Sequence, residues 1–109
     1  MAQGRLGTAV STSGADVDVY QVPGSGVLFT TATVKIVNRG TADSAVRVAI
    51  ALTSTPGLAE YIEYDTIIAA NGGILERGFN LMSPGEHVIV HADSNDLSIR
   101  VEGLEKTTT

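Results

Sequence analysis

The sequence predicts an all-β fold: an antiparallel β-sandwich of about seven or eight strands, Ig-like or jelly-roll-like, preceded by an extended N-terminal arm. Three observations carry that expectation. Short runs rich in Val, Ile and Thr fill almost the whole chain and are separated at near-regular intervals by Gly, Pro, Asn or Asp, the rhythm of strands joined by tight turns. Several runs alternate apolar and polar residues with period two. No window of a dozen residues holds an apolar stripe at helical spacing free of β-branched crowding, so no helix competes.

Residues 1–15 are small and polar, with Gly4, Gly7 and Gly14, and read as an arm or weak edge strand that depends on a partner. The first firm strand covers 17–22. It places Tyr20 and Val22 on one face and Val17, Val19 and Gln21 on the other, then ends at Pro23-Gly24-Ser25-Gly26, where proline presets φ and glycine completes a turn. Over 27–38 the apolar face is Leu28, Thr30, Ala32, Val34 and Ile36; Phe29, Thr31, Thr33 and Lys35 make the other, and Asn38-Arg39-Gly40 closes the strand. The cleanest alternation follows, with Val46, Val48, Ile50 and Leu52 expected in the core between Arg47, Ala49 and Ala51.

Residues 53–59 form the longest irregular connection, with room for a helical turn. In the next strand Ile62, Tyr64, Thr66 and Ile68 share a face. Asn71-Gly72-Gly73 supplies residues able to take positive φ, a strand over 74–82 follows, and Ser83-Pro84-Gly85 turns the chain again. The register of 74–82 is the least defined, because Gly78-Phe79-Asn80-Leu81-Met82-Ser83 does not alternate cleanly. The last strands cover 86–92 and 97–104; Leu97, Ile99 and Val101 point inward, and Ser98, Arg100 and Glu102 outward. The expected organisation is an arm over 1–15, a sandwich domain over 16–105 and a disordered tail over 106–109.

A chain of 109 residues makes one domain, and scaling relations put roughly 65% of its unfolded surface out of water, enough for a sandwich core without a metal or disulfide staple. Cysteine is absent, so no thiolate metal site or disulfide framework is available. The N-terminal residues lack the apolar segment of a secretory signal, and no apolar run approaches the ~20 residues of a membrane-spanning helix; the expectation is a soluble chain with no membrane partner. Net charge is -5, with two lysines, Lys35 and Lys106, and scattered arginines. That leaves no basic stripe for phosphates, and argues against a nucleic-acid partner. Charged residues are 17% of the chain against a usual ~25%, as expected of a protein that buries outer surface against a partner.

Candidate chemistry is sparse. His87 and His91 would form a metal pair on a helix, but in a strand they sit about 13 Å apart, so ordinary surface or interface histidines are expected and no metal. Glu60, Glu63, Asp65 and Glu76 alternate along strands and do not converge in a calcium loop or a paired-carboxylate cleft; Glu63 and Asp65 are placed to pair with Arg47, Arg77 or Arg100 across strands. No Gly-x-Ser-x-Gly elbow and no cysteine nucleophile is present, and no glycine cluster precedes a helix as a phosphate cradle would. The expectation is a protein that is not an enzyme, with no catalytic residue and no cofactor.

An ordered set of segments carries a family resemblance: Met1-Ala2-Gln3-Gly4-Arg5-Leu6, Tyr20-Gln21-Val22-Pro23, Val34-Lys35-Ile36-Val37-Asn38-Arg39-Gly40, Glu60-Tyr61-Ile62-Glu63-Tyr64-Asp65, Leu75-Glu76-Arg77-Gly78 and Val101-Glu102-Gly103-Leu104-Glu105. Together they span nearly the whole chain, which resembles small β-sandwich virion structural proteins of tailed bacteriophages, especially cyanophages and other marine phages. The resemblance implies a head decoration (cement) protein or an appendage part, made in the host cytoplasm and placed on the virion at the capsid surface. The first expectation is a cement protein that binds the outer surface of the head and bridges subunits of the major capsid protein. Its contact residues are expected to be Arg5, Leu6 and Val10 of the arm, with Phe29 and Tyr61 as aromatic anchors. A tail, neck or fibre component forming a ring, dimer or trimer is the second expectation. A carbohydrate-binding module is the third, weakened because Tyr20 and Tyr64, two of five aromatics, are expected to point inward.

Overall fold

The computed structural model describes residues 3–108. Eight strands follow one another: β1 (Gln3–Val10), β2 (Asp16–Gln21), β3 (Val27–Asn38), β4 (Ser44–Ala51), β5 (Tyr61–Ile68), β6 (Ile74–Met82), β7 (His87–Ala92) and β8 (Leu97–Thr107), with a single 3₁₀ turn (Leu58–Glu60) in the long connection before β5. They form two four-stranded sheets, sheet I in the order β1-β8-β3-β6 and sheet II in the order β2-β7-β4-β5. All ladder pairings are antiparallel, and β1 pairs β8, β2 pairs β7, β3 pairs β6 and β4 pairs β5. This nested pairing is a long hairpin rolled on itself, the jelly-roll order. An Ig-like sandwich would pair β1 with β2; here they lie in different sheets.

The core lies where the inward residues of the two sheets meet. Ala32, Val34, Ile36, Met82, Leu97, Ile99 and Val101 from sheet I face Val46, Val48, Val88, Val90 and Ala92 from sheet II, each aliphatic side chain worth about 1.5–3 kcal/mol when fully buried. Ser98, Arg100 and Glu102 are on the opposite face of β8, as the alternation requires.

β-Bulges explain where the alternation misleads. A register shift at Val27/Phe29 buries Val27 and leaves Leu28 exposed, instead of the reverse. A shift at Asp18/Tyr20 lets Val19 and Tyr20, neighbours in sequence, both face the core. Asp65, at φ 52°, breaks the period in β5, so Tyr64 turns outward and not inward with Ile62 and Ile68. Leu52, expected in the core, is exposed because β4 ends at Ala51. In β6 the bulge falls at Gly78 and Phe79, between the pairs Ala32–Asn80 and Val34–Arg77.

Of the arm or weak edge strand expected over 1–15, residues 3–10 are a ladder strand, and of the tail expected over 106–109, residues 106 and 107 are; positions 1, 2 and 109 lie outside the described residues. Gln3–Val10 is the edge strand of sheet I, and Lys106 and Thr107 continue β8 opposite Phe29 and Val27. Backbone pairing satisfies polar groups that the small side chains cannot. Two glycines permit close approach: a Cβ on Gly103 would stand 1.8 Å from the Thr31 carbonyl oxygen, and one on Gly7 would stand 2.3 Å from that of Val19.

Polar bolts tie the sheets together. The Tyr20 hydroxyl donates to Glu105 at 2.6 Å and lies 3.0 Å from the Thr30 hydroxyl, a buried set joining β2 to β3 and β8. Burial, with the Glu105 carboxylate accepting its proton, raises the Tyr20 pKa to about 12. Asn38, fully buried, donates to the Ala42 and Ile68 carbonyls and accepts from the Gly40 amide, so the residue that closes β3 also holds the end of β5.

Candidate functional site: the two outer faces of the sandwich

Among the described residues no group of three His, Asp or Glu is placed to hold a metal ion. The candidate surfaces are the outward faces of the sheets, and they differ.

The centre of the outer face of sheet II closes on itself, while Tyr64 and Ile67 of β5 stay exposed. Ala49 and Ile89 oppose each other, and Tyr61 opposes Ala49 on β5; Ala49, Ala51 and Ile89 form a second small core that is at most 2% exposed although it faces away from the main one. Polar groups frame it in pairs. Asp18 meets His87 at 2.6 Å and Asp16 meets His91 at 3.0 Å, both pairs bridging β2 and β7. Arg47 donates to both carboxylate oxygens of Asp65, at 2.6 and 3.3 Å, and its guanidinium carbon lies 4.1 Å from the centroid of the Tyr64 ring. Tyr64 in turn stands at 83° to Tyr61, centroids 5.1 Å apart. The Arg47 guanidinium holds the Asp65 carboxyl below the usual carboxylate range. Glu60 accepts from the Gly57 and Leu52 amides, which hold its own carboxyl low and fix the connection that leads into β5.

The outer face of sheet I is not closed. Residues opposite one another in antiparallel register share a face, so its rows can be read from the ladders. Val10, Ser98, Val37 and Ile74 form one row, and Thr8, Arg100, Lys35 and Glu76 the next. Arg5, Glu102 and Thr33 come third, ending at the β6 bulge; Gln3, Leu104, Thr31 and Leu81 form the fourth; Phe29 and Lys106 finish the face. Apolar rows thus flank charged ones. The first two rows border a shallow depression of about 490 Å³, lined by Thr8, Val10, Lys35, Val37, Ser98 and Arg100 among others. Lys35 at 3.2 Å and Arg100 at 2.8 Å share Glu102 and hold its carboxyl low.

At the rim of this face stands Phe79, the most exposed large apolar residue among those described, at 91%. Its φ of 57° is a conformation that a bulky L-residue rarely adopts, and its amide donates to the Thr33 hydroxyl at 3.4 Å. Leu81 and Ile74 on the same strand are 70% and 68% exposed. The bulge and the inward-facing Arg77, which reaches Glu63 of β5 at 3.3 Å, mark an edge strand guarded against open-ended pairing.

The expected contact residues divide between the two faces. Arg5, Val10 and Phe29 lie on the outer face of sheet I. Leu6, displaced by a bulge between Arg5 and Gly7, is partly buried against the main core. Tyr61 is partly buried on the outer side of sheet II, where it packs on the small core and against Tyr64. The expected pairings of Asp65 with Arg47 and Glu63 with Arg77 are present. Sequence reading missed Phe79, Leu81 and Ile74; the broken alternation of 78–83 was their one signal.

No family model matches the chain, and no curated protein matches it.

Proposed function

We propose that this chain is a non-enzymatic structural protein of a tailed-phage particle: a decoration, or cement, protein that binds the outer surface of the head and bridges neighbouring major capsid protein subunits. The observation that carries this reading is the outer face of sheet I, where Val10, Ile74, Leu81 and Phe79 stay in water, whereas on sheet II the centre of the outer face is sealed and Tyr64 and Ile67 of β5 are its exposed large apolar residues. Exposed apolar groups gathered on one face mark interaction sites. The ordered resemblance of six segments to small virion proteins supplies the setting. The jelly roll agrees with that setting but also serves lectins and cupins, so the reading rests on the face and not on the fold. A carbohydrate-binding role fits less well, since Arg47 already covers one face of the Tyr64 ring.

The mechanism is burial. A contact of roughly 800 Å² per partner is the standard size for a specific complex, and a rigid sandwich offers that surface with little ordering cost. Cryo-EM of the intact particle tests the reading: density for the chain is expected on the outside of the head, where capsid subunits meet. Density on the tail alone would overturn it.

A further inference from the structure

The open face has a sign as well as a pattern. Of the seven lysines and arginines in the chain, Arg5, Lys35, Arg100 and Lys106 lie on the outer face of sheet I, against only Glu76 and Glu102 of the twelve acids. That is a surplus of two positive charges on a chain whose total is -5, leaving the remainder at -7. Arg39 adds a guanidinium at the rim, donating to Ser98 at 2.8 Å. Sequence scatter thus becomes spatial segregation: the roll brings β1, β3 and β8 side by side.

We infer that the outer face of sheet I docks on an acidic protein surface, with Phe79 as its apolar anchor. The inference rests on the proposed particle-surface role and adds to it the face, its sign and its anchor. Charge complementarity selects this occupant, because like charges placed opposite one another oppose association. A second copy meeting the same face would set surplus positive charge against itself. A nucleic acid would need dense phosphate contacts for its affinity, whereas here Lys35 and Arg100 already share Glu102 and apolar rows flank the cations. Phe79 has the marks of an anchor: an aromatic ring almost wholly in water, on a backbone conformation that glycine would take with less strain. An observed strained residue of this kind points to function.

Head shells assembled without this chain are the probe, titrated with purified protein and recovered by sedimentation. Wild-type protein is expected to bind saturably and to weaken about tenfold as salt rises from low to high, as exposed complementary charges do. The double variant Arg5→Glu/Lys106→Glu is expected to lose at least tenfold in affinity. Neither residue is in an ion pair among the described residues, and because Arg5 stands opposite Glu102, a thermal melt of the double variant accompanies the binding measurement to show that it is folded. Phe79→Gly is expected to bind at least tenfold more weakly while melting at a higher temperature, a pair of effects that damage to the fold cannot produce. Equal binding by wild type and the double variant at every salt concentration would overturn the inference and leave the cement reading standing. Shells that take up no wild-type protein would overturn both. Duplex DNA bound as tightly as shells, or a dimer abolished by the same charge reversal, would replace the acidic protein partner with another occupant and also overturn the inference.

Discussion

The outer faces of the two sheets come from the same kind of strand and end in different states. On sheet II, small side chains at Ala49 and Ala51 leave room that Tyr61 fills, and every charge framing the patch has a partner across a strand. On sheet I, medium-sized apolar residues stand in rows with nothing laid over them, and cations outnumber acids. The contrast separates surface that serves stability from surface that is left for binding. A surface network that satisfies itself is explained by stability, whereas an unsatisfied one asks for a partner.

The largest expected effect breaks that comparison directly. Ile89→Asp places an unpaired carboxylate in the sealed patch and should destabilise the protein by about 3–5 kcal/mol, or prevent folding. Leu81→Asp on the open face should change stability by no more than about 0.5 kcal/mol. Urea unfolding of both variants measures the contrast, and equal losses would mean that the faces do not differ as described. Gly103→Ala serves as a calibration: its Cβ would meet the Thr31 carbonyl inside sheet I, and a loss on the order of 3 kcal/mol is expected whatever the state of the outer faces.

Next in size, Tyr64→Ala removes the ring against Tyr61 and the cover over Arg47, and should cost about 1–2 kcal/mol. The opposite sign is expected at Phe79→Gly, which relieves a positive φ and should stabilise the chain by up to about 1 kcal/mol. A thermal melt that moved the same way for both aromatics would erase the distinction between a packing residue and an anchor.

The smallest effect concerns the bolt between the sheets. The Tyr20 hydroxyl, with its pKa raised to about 12 in the folded state, keeps its proton to higher pH than the unfolded chain, where it is lost near 10.0. Its contribution is therefore fully present below pH 10 and is lost as pH rises through the folded value. Tyr20→Phe should show a flatter decline of stability over that window, measured by denaturant titration at stepped pH.

Much of the fold was legible because alternation reports burial directly. Val46 and Val48, or Leu97, Ile99 and Val101, are read correctly from period two alone, and the turns at Pro23-Gly24 and Pro84-Gly85 announce themselves. What hid were the bulges. An extra residue shifts the period by one, so Leu28 and Tyr64 were assigned to the core and Val27 and Val19 were not. The choice between sandwich topologies depends on which distant strands pair, a property that no local pattern carries. The candidate surface was legible only in part for the same reason. Arg5, Val10 and Phe29 were found, but their company with Lys35, Arg100 and Lys106 comes from the roll, and Phe79 lay where the pattern failed.

In the proposed particle, sheet I is covered and sheet II is not. Because the chain has no cysteine, single-cysteine variants report this cleanly: Leu81→Cys on the open face, and Ile67→Cys, on β5 opposite Ala45 and 62% exposed. Maleimide labelling of free protein and of assembled particles is the measurement. Both cysteines are expected to react in the free protein, and only the one at position 81 to be protected in the particle. Protection at position 67 with free reaction at position 81 would contradict it.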